Sequence, residues 1–548
     1  MAFSPRQTAN PFRIRNTKTH HRFRPIHEFF DTLILSPHQR QNAGITFFRF
    51  ISVKTQPLNT ISSPNRNLRL RDYCVGLGCW FSSIYQKLPQ PDSVQDTQLS
   101  KKTNSSDSNK WHGMEKTHVA IVGMGTVGTG VARLLLDHGD RLARHAGRVL
   151  WLEKSLVRDL SKSRGIDNLP EGILTTDLSE ILDNPDIQVV AHLVGGIEPA
   201  RTIMLQLLEA GKDVVTANKA LLAQHGSELF DRARELGRTI AFEASVGGGI
   251  PIIANITQCF TANQILSLRG ILNGTSNYIL TQMSEKGAEY SEALLNAQQL
   301  GYAEADPAMD VDGSDAAQKL AILAHLAFGV QVNWKEIYRR GLEAFTLEDI
   351  QYADKLDYRI RLIATARLIE DNLELHVSPT LIRKGRPLAE VRGAYNAISV
   401  VGDAVGDMFF HGQGAGQMPT ASAVVADMID TAAGRTDITF RRLELWSDRQ
   451  CEIELIPYPR TRGRYYMRFL VADEPGVLSE ITGILGKHKI SISSIIQHEP
   501  KEPAEPRKVP LIIMTHECEE VQASRAHLAI EQLASVDEKS YRLRVSES

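Results

Sequence analysis

The sequence predicts an α/β protein in three parts: a doubly wound parallel-sheet domain, an α+β domain, and a C-terminal ferredoxin-like βαββαβ unit. Three observations carry this expectation. Apolar strand-length runs alternate strictly with helical segments from residue 117 to about 245, and the rhythm lengthens after "SVGGGIP" (245–251). Residues 465–545 then run strand, turn, helix, strand, strand, helix. At 548 residues the chain also exceeds what one core usually holds.

Residues 1–113 are rich in Arg, Ser, Asn and Pro and show no sustained period. They carry 16 Lys+Arg against 6 Asp+Glu, a net +10, so the formal total of −2 leaves −12 for residues 114–548. We expect an unstructured extension, either an organelle-type leader or, the favoured reading, a start placed too early, with Met114 the real beginning. The acidic remainder argues against a nucleic-acid partner, which needs a basic face. No stretch reaches the roughly 20 apolar residues of a membrane helix. Cys74, Cys79, Cys259, Cys451 and Cys518 form neither C-x-x-C nor a zinc-spaced cluster, which fits reduced, cytoplasmic-type thiols.

The first domain is expected over 114–245. "THVAIV" (117–122) is a strand entering "GMGTVGTGV" (123–131), after which Val127, Val131, Leu134 and Leu135 repeat at helical spacing. "RVLWLEKSLV", "IQVVAHLV", "DVVTA" and "TIAFEAS" read as further strands, with "LSEILDN", "ARTIMLQLLEAG" and "KALLAQHGSELFDRARELG" as helices between them. This is the Rossmann-type pattern, a parallel sheet covered on both faces. Gly123, Gly125 and Gly128 form G-x-G-x-x-G between strand and helix, so Gly123, Met124, Gly125, Thr126, Val127 and Gly128 are the expected dinucleotide cradle. Beyond the second strand, "LVRDLSKSR" sets Arg158, Lys162 and Arg164 around Asp159. Cations there suit the 2′-phosphate of NADP, while Asp159 keeps NAD open.

Residues 246–414 are expected to form the substrate domain. "MPTASAVVADMIDTAA" (418–433) reads as a helix that returns to the first domain (about 415–435), and 436–464, with Pro457 and Pro459, as a linker. Within the substrate domain, "EADPAMDVDGSDAAQK" (304–319) concentrates carboxylates ahead of one lysine. With Gly313 at the sixth position of a calcium loop, Ala308 and Lys319 fall at the first and twelfth, so the calcium reading fails. A capped, apolar helix and a catalytic lysine remain evenly matched: Asp315 and Lys319 are i, i+4 neighbours, and Leu320, Leu323, Ala324 and Ala327 place their helix against a core.

Several segments together resemble one family. "GMGTVGTGV", "VRDLSK", "TANKALLA" (216–223), "FEASVGGGIPII" (242–253), "RGILNGTSNYIL" (269–280) and "GYAEADPAMDVDGSDAAQK" (301–319) are similar to homoserine dehydrogenases, and "ADEPGVL" (472–478) resembles an ACT domain, a regulatory module that binds amino acids. The resemblance implies interconversion of L-homoserine and L-aspartate 4-semialdehyde with NAD(P), in threonine, methionine and isoleucine biosynthesis. It implies Lys319 as proton donor and acceptor, with Lys219 competing for that role beside the nicotinamide. Asp315 would orient the lysine and bond the substrate, Glu304 and Gly301 would hold the substrate, and Asp310 would support the loop. Sodium is implied at Glu243 and the carbonyls of Val246, Gly248 and Ile250. Gly414 and Gly416 in "GQGAGQMPT" would close on the cofactor. Asp473, Pro475 and Gly476 would form the effector turn, with threonine as the expected ligand, although a purely structural or dimerising module stays open. A cytoplasmic dimer or tetramer without membrane or nucleic-acid partners is expected. Two alternatives are a semialdehyde-forming enzyme using Cys259 and a catalytically dead sensor. No motif surrounds Cys259, and Lys219, Glu304, Asp315 and Lys319 are all present.

Overall fold

The computed structural model describes residues 114–304, 306–342, 346–442, 453–497, 508–537 and 540–546, so the expectation for 1–113 falls outside the described residues. The first domain is built on a six-stranded parallel sheet in the order β3-β2-β1-β4-β5-β6. Its strands are β1 (Lys116–Val122), β2 (Val149–Leu156), β3 (Leu174–Thr175), β4 (Ile187–His192), β5 (Asp213–Thr216) and β6 (Ile240–Ala241). Val119, Ala120, Ile121 and Val122 are fully buried, as a strand covered on both faces requires. The covering helices are α1 (Thr126–Asp137), α2 (Gly139–Ala146), α3 (Ser179–Leu182), α4 (Ala200–Glu209) and α5 (Lys219–Glu235). The doubly wound expectation holds. The strand read in "TIAFEAS" is only Ile240–Ala241, because the chain turns at Glu243–Ser245 to put Glu243 against a later helical turn.

The second domain packs α6 (Gly274–Lys286), α7 (Tyr290–Gln299), α8 (Ala308–Val311), α9 (Ser314–Phe328) and α10 (Leu347–Lys355) around a mixed sheet. That sheet contains β7 (Ile265–Ile271), the short β8 (Tyr338–Arg339), the long hairpin β9 (Tyr358–Ile369) and β10 (Asn372–Arg383), then β11 (Tyr395–Gly402) and β12 (Gly406–Gln413). The chain then returns to the first domain through α11 (Gln417–Ala432). Ala421, Val424, Val425 and Met428 share a core there with Val131, Leu134 and Leu135 of α1. The segment read as a linker opens with α12 (Arg435–Arg442), whose Phe440 is buried against Phe230 of α5 at 5.3 Å between ring centroids. It also holds the two-residue β13 (Glu454–Leu455).

The C-terminal unit contains β14 (Arg462–Ala472), α13 (Val477–Lys487), β15 (Ile492–Gln497), β16 (Lys508–Thr515), the short β17 (Cys518–Glu519), α14 (Glu520–Glu531) and β18 (Tyr541–Ser546). Its antiparallel sheet runs β18-β14-β16-β15, the expected ferredoxin-like arrangement. Periodicity gave no hint that this sheet continues into the second domain. β18 pairs in parallel with β10 through Thr380↔Arg544, Leu381↔Val545 and Ile382↔Ser546. Beside that seam, Arg468 of β14 holds the buried Asp349 of α10 at 2.6 Å.

Candidate active site

The centre assembles where the first domain's sheet meets α9. Asn218 caps α5: its Oδ1 accepts the Leu221 N–H at 3.0 Å, while its Nδ2 donates to the carbonyls of Val194 (2.9 Å) and Gly196 (2.7 Å). Lys219 therefore occupies the first helical position, just beyond the carboxyl end of β5. In open parallel sheets ligands bind at such ends, near the reversal of strand order that here falls between β1 and β4.

From the other side, α9 starts at Gly313, whose φ of +88° favours glycine, with the Asp312 carboxylate accepting from the Ser314 N–H (2.7 Å) and hydroxyl (2.8 Å). Every residue from Ser314 to His325 is buried. Lys319 thus sits inside the protein, its Nζ donating to the Leu272 carbonyl (2.6 Å) and to Asp315 Oδ2 (2.8 Å). The other carboxylate oxygen, Oδ1, faces Lys219 Nζ at 3.0 Å. One buried carboxylate bridges two lysines from different domains.

Asn273 completes the network. Its Nδ2 donates to Asp315 Oδ2 (2.8 Å) and to Asp310 Oδ1 (2.7 Å), while its Oδ1 caps α6 through the Ser276 N–H (2.7 Å). Burial opposes ionisation of Asp315, but Lys319 and Lys219 outweigh it and hold the carboxyl well below the usual range. Asp310, without a lysine in direct contact, is pushed up by burial. Asp315, with smaller contributions from Asp310 and Glu304, raises Lys219 against the cost of burial, so Lys219 stays protonated. Glu304 itself is exposed, with its backbone carbonyl accepting from Gln298 Nε2 at 3.2 Å. Gly301, at φ +74°, ends the turn after α7.

The glycine loop divides its labour. Gly123 has φ +101°, and a Cβ there would lie 2.9 Å from the Leu193 backbone; a Cβ on Gly128 would collide with the Gly123 carbonyl. Gly125 faces open space within 4 Å, and no side chain caps α1. Met124 is buried while Thr126 is exposed. Gln417 of α11 reaches this loop, its Nε2 donating to the Thr126 carbonyl at 3.0 Å. Gly414 packs against Asn396, and a Cβ on Gly248 would lie 2.5 Å from the Gly414 carbonyl, so the close approach at Gly414 is to protein. Gly416, at φ +123°, precedes α11.

Arg158 and Lys162 are exposed beyond β2, whereas the Asp159 carboxylate accepts from the Ser161 N–H (2.8 Å) and hydroxyl (2.6 Å). Both Glu243 oxygens accept backbone N–H groups, from Ile253 (2.9 Å) and Ala254 (2.7 Å), and the Ile250 carbonyl accepts from Ile252 at 2.8 Å. Val246 and Gly248 lie in the intervening turn. Asp473, Pro475 and Gly476 link β14 to α13; Asp473 accepts from Gln497 Nε2 at 3.2 Å, and Gly476 has φ +102°. Asn218, Asn273, the Leu272 carbonyl and Asn396, whose Nδ2 donates to that carbonyl at 3.0 Å, belong to the centre although the sequence did not single them out. Asn273 did carry a signal, as an N-cap residue inside "RGILNGTSNYIL".

Comparison with known proteins places the whole of this architecture in one family. A family model described as homoserine dehydrogenase matches residues 251–429, its NAD-binding domain matches 123–243, and an ACT domain matches 465–534. The homoserine dehydrogenase of Pseudomonas aeruginosa is 42% identical over 437 residues, 79% of this chain and 100% of that protein. The chain belongs to the homoserine dehydrogenase family. The Synechocystis homoserine dehydrogenase is 41% identical over 436 residues, 78% of this chain and 99% of that protein. A crystal structure of a homoserine dehydrogenase from Thiobacillus denitrificans superposes with a TM-score of 0.71 at 41% identity, covering 79% of this chain and 99% of that one. Membership of the homoserine dehydrogenase family makes the chain an oxidoreductase with an NAD(P)-binding domain and an ACT domain. Among the described residues no helix is long and apolar enough to cross a membrane.

Proposed function

We propose that the Lys219–Asp315–Lys319 centre carries out the reduction of L-aspartate 4-semialdehyde to L-homoserine and its reverse. The observation that carries this reading is the single buried carboxylate bonded through one oxygen to each lysine. The nicotinamide, when bound, supplies or takes up the hydride at the substrate's C4. Lys319 gives a proton to the C4 oxygen as the aldehyde is reduced and takes it back in the reverse direction. Two of its Nζ protons are committed to Leu272 and Asp315, which leaves one to direct at substrate. Lys219, kept charged by its carboxylate neighbours, stabilises negative charge on the same oxygen. Asp315 fixes both ammonium groups, and the Glu304 carboxylate at the rim, with Gly301 beside it, suits the substrate's α-ammonium.

The residues present fit a dinucleotide. The open space at Gly125 is a cradle that a side chain would fill, and the uncapped start of α1 offers N–H groups to phosphate. NADP is the preferred form: Asp159 is engaged by Ser161, while Arg158 and Lys162 are exposed. Sodium fits less well, because the Glu243 carboxylate already caps a helical turn. Each Glu243 oxygen keeps a lone pair beside the backbone carbonyls of Val246, Gly248 and Ile250, the last already accepting from Ile252, and no step depends on sodium. We further assign the reaction to threonine, methionine and isoleucine biosynthesis in the cytoplasm, in a homo-oligomer. Threonine would be sensed at the Asp473–Gly476 turn.

NADPH oxidation with L-aspartate 4-semialdehyde tests the reading. Lys319→Ala is expected to lower kcat by about 10²–10⁴. Inactivity of the wild type with both NADPH and NADH would overturn the reading, and full turnover of Lys319→Ala would transfer the proton role to Lys219. Adding millimolar threonine to the same assay, or replacing sodium by choline, removes the corresponding assignment if the rate is unchanged.

A further inference from the structure

The carbonyl that holds Lys319 lies just outside the sheet. The ladder between β7 and β11 ends with Ile271 opposite Ala397, and the chain then turns at Asn273 to begin α6. Leu272, between them, lies beyond the ladder, and its carbonyl is met by side chains from two other elements. Lys319 Nζ, from α9, donates to it at 2.6 Å, and Asn396 Nδ2, from β11, donates to it at 3.0 Å. A carbonyl oxygen has two lone pairs, so these two donors fill it.

The Asn396 amide is itself closely held. Its residue is 1% exposed, and a carbonyl, which only accepts, must face Nδ2 rather than Oδ1. Asn277 of α6 anchors the start of β11, its Nδ2 donating to the carbonyls of Gly393 (2.9 Å) and Tyr395 (3.2 Å). On its other side the amide lies against Gly414, where a Cβ would come within 2.0 Å of Asn396 Nδ2. Among the described residues Asn396 Oδ1 has no hydrogen-bond partner, so the side chain's bonding is directed at the Leu272 carbonyl. A buried amide that satisfies one end and strands the other adds little to stability. Its effect falls on the oxygen that holds Lys319.

We propose that Asn396 is a positioning residue for the reaction: by sharing the Leu272 carbonyl it fixes the direction of that oxygen, and so the direction of the Lys319 proton that is aimed at substrate. The inference rests on Lys319 as the group that moves the proton. Asp315 grips the same ammonium from one turn away on the same helix, so it moves with α9. The Leu272 carbonyl instead ties Nζ to the end of β7, and Asn396 steadies that carbonyl from the neighbouring strand. Without the amide the peptide is free to tilt, and a misplacement of about 1 Å at a reacting group can cost on the order of 10²-fold in rate.

The test compares wild type, Asn396→Leu and Lys319→Ala, each as the full chain, in NADPH oxidation with L-aspartate 4-semialdehyde. Asn396→Leu keeps a branched side chain of similar size and removes the donor. We expect its kcat to fall by about tenfold or more, with the KM for NADPH changed by less than about twofold. The solvent deuterium isotope effect on kcat should rise, because proton transfer slows relative to the other steps. A purely structural role would lower Tm and the fraction of enzyme that binds NADPH, while kcat per binding site and the isotope effect stay as in wild type. Should Asn396→Leu fail to fold, Asn396→Ala is read in the same way; failure of both to fold would make Asn396 a structural residue and overturn the proposal. Wild-type kcat and isotope effect in a folded variant overturn it too, and leave the role of Lys319 standing. Full turnover of Lys319→Ala removes that role and the proposal with it, so the two failures are told apart.

Discussion

Asp315 is the residue on which the site turns, because three donors converge on it: Lys319, Lys219 and Asn273. Spacing in the sequence pairs Asp315 with Lys319, since i, i+4 neighbours share a helix face. The Asn273 contacts span 37 and 42 residues, and no local pattern encodes such distances. Asn273→Asp keeps an acceptor for the Ser276 N–H but turns a third carboxylate toward Asp310 and Asp315. Its repulsion of Asp315 misplaces the carboxylate that orients both lysines, so we expect kcat to fall by about tenfold or more. Asn273→Ser, which keeps a capping oxygen and loses the amide donor, should show the same loss with a smaller change in Tm. Steady-state kinetics beside thermal melts would show whether Asn273 is instead only a helix cap, in which case kcat stays put.

At the scale of elements, the glycine loop separates folding from binding. Gly125→Val adds a side chain where the structure leaves open space, at a negative φ of −82°. It should raise the KM for NADPH while changing stability by less than about 1 kcal/mol. Gly128→Val drives a Cβ into the Gly123 carbonyl and should cost about 1–3 kcal/mol. An unchanged KM in Gly125→Val would remove the cradle from its assigned place. The strand–loop–helix order of this region was readable because it is local. The ending of β6 was not: "TIAFEAS" has strand composition, yet Glu243 caps a turn ten residues further on and draws the chain out of the sheet.

Across the whole molecule, the ACT sheet and the catalytic sheet are one structure, joined along β10 and β18 and by buried ion pairs. Glu374 is held down at about 2: burial opposes this, but His376, Arg544 and Arg367 prevail. Its folded value lies below the unfolded one, so its stabilisation is complete above about pH 5 and is lost as pH falls from 4.5 toward 2. Glu374→Gln should therefore be less stable at pH 7, by about 3–5 kcal/mol for a broken buried pair, and the gap should narrow as pH falls below about 4.5 and close near pH 2. Urea unfolding over a pH series checks both the sign and the window. Ending the chain after Arg460 should leave little soluble protein, because β10 loses β18 from its outer edge while Glu374 loses Arg544 and Asp349 loses Arg468. A truncated chain with wild-type Tm and kcat would mean that the ACT unit is merely tethered.

The order of elements, the dinucleotide loop and the Asp315–Lys319 pair were determined by the sequence alone, since each rests on short-range periodicity, turn chemistry or helix spacing. Only tertiary structure decided that Lys219 joins that pair, that Asn273 binds two aspartates at once, and that the ACT sheet fuses with the sheet of the second domain. These depend on where separate elements meet, and that is set by burial and by the pairing of buried charge between residues far apart in the chain.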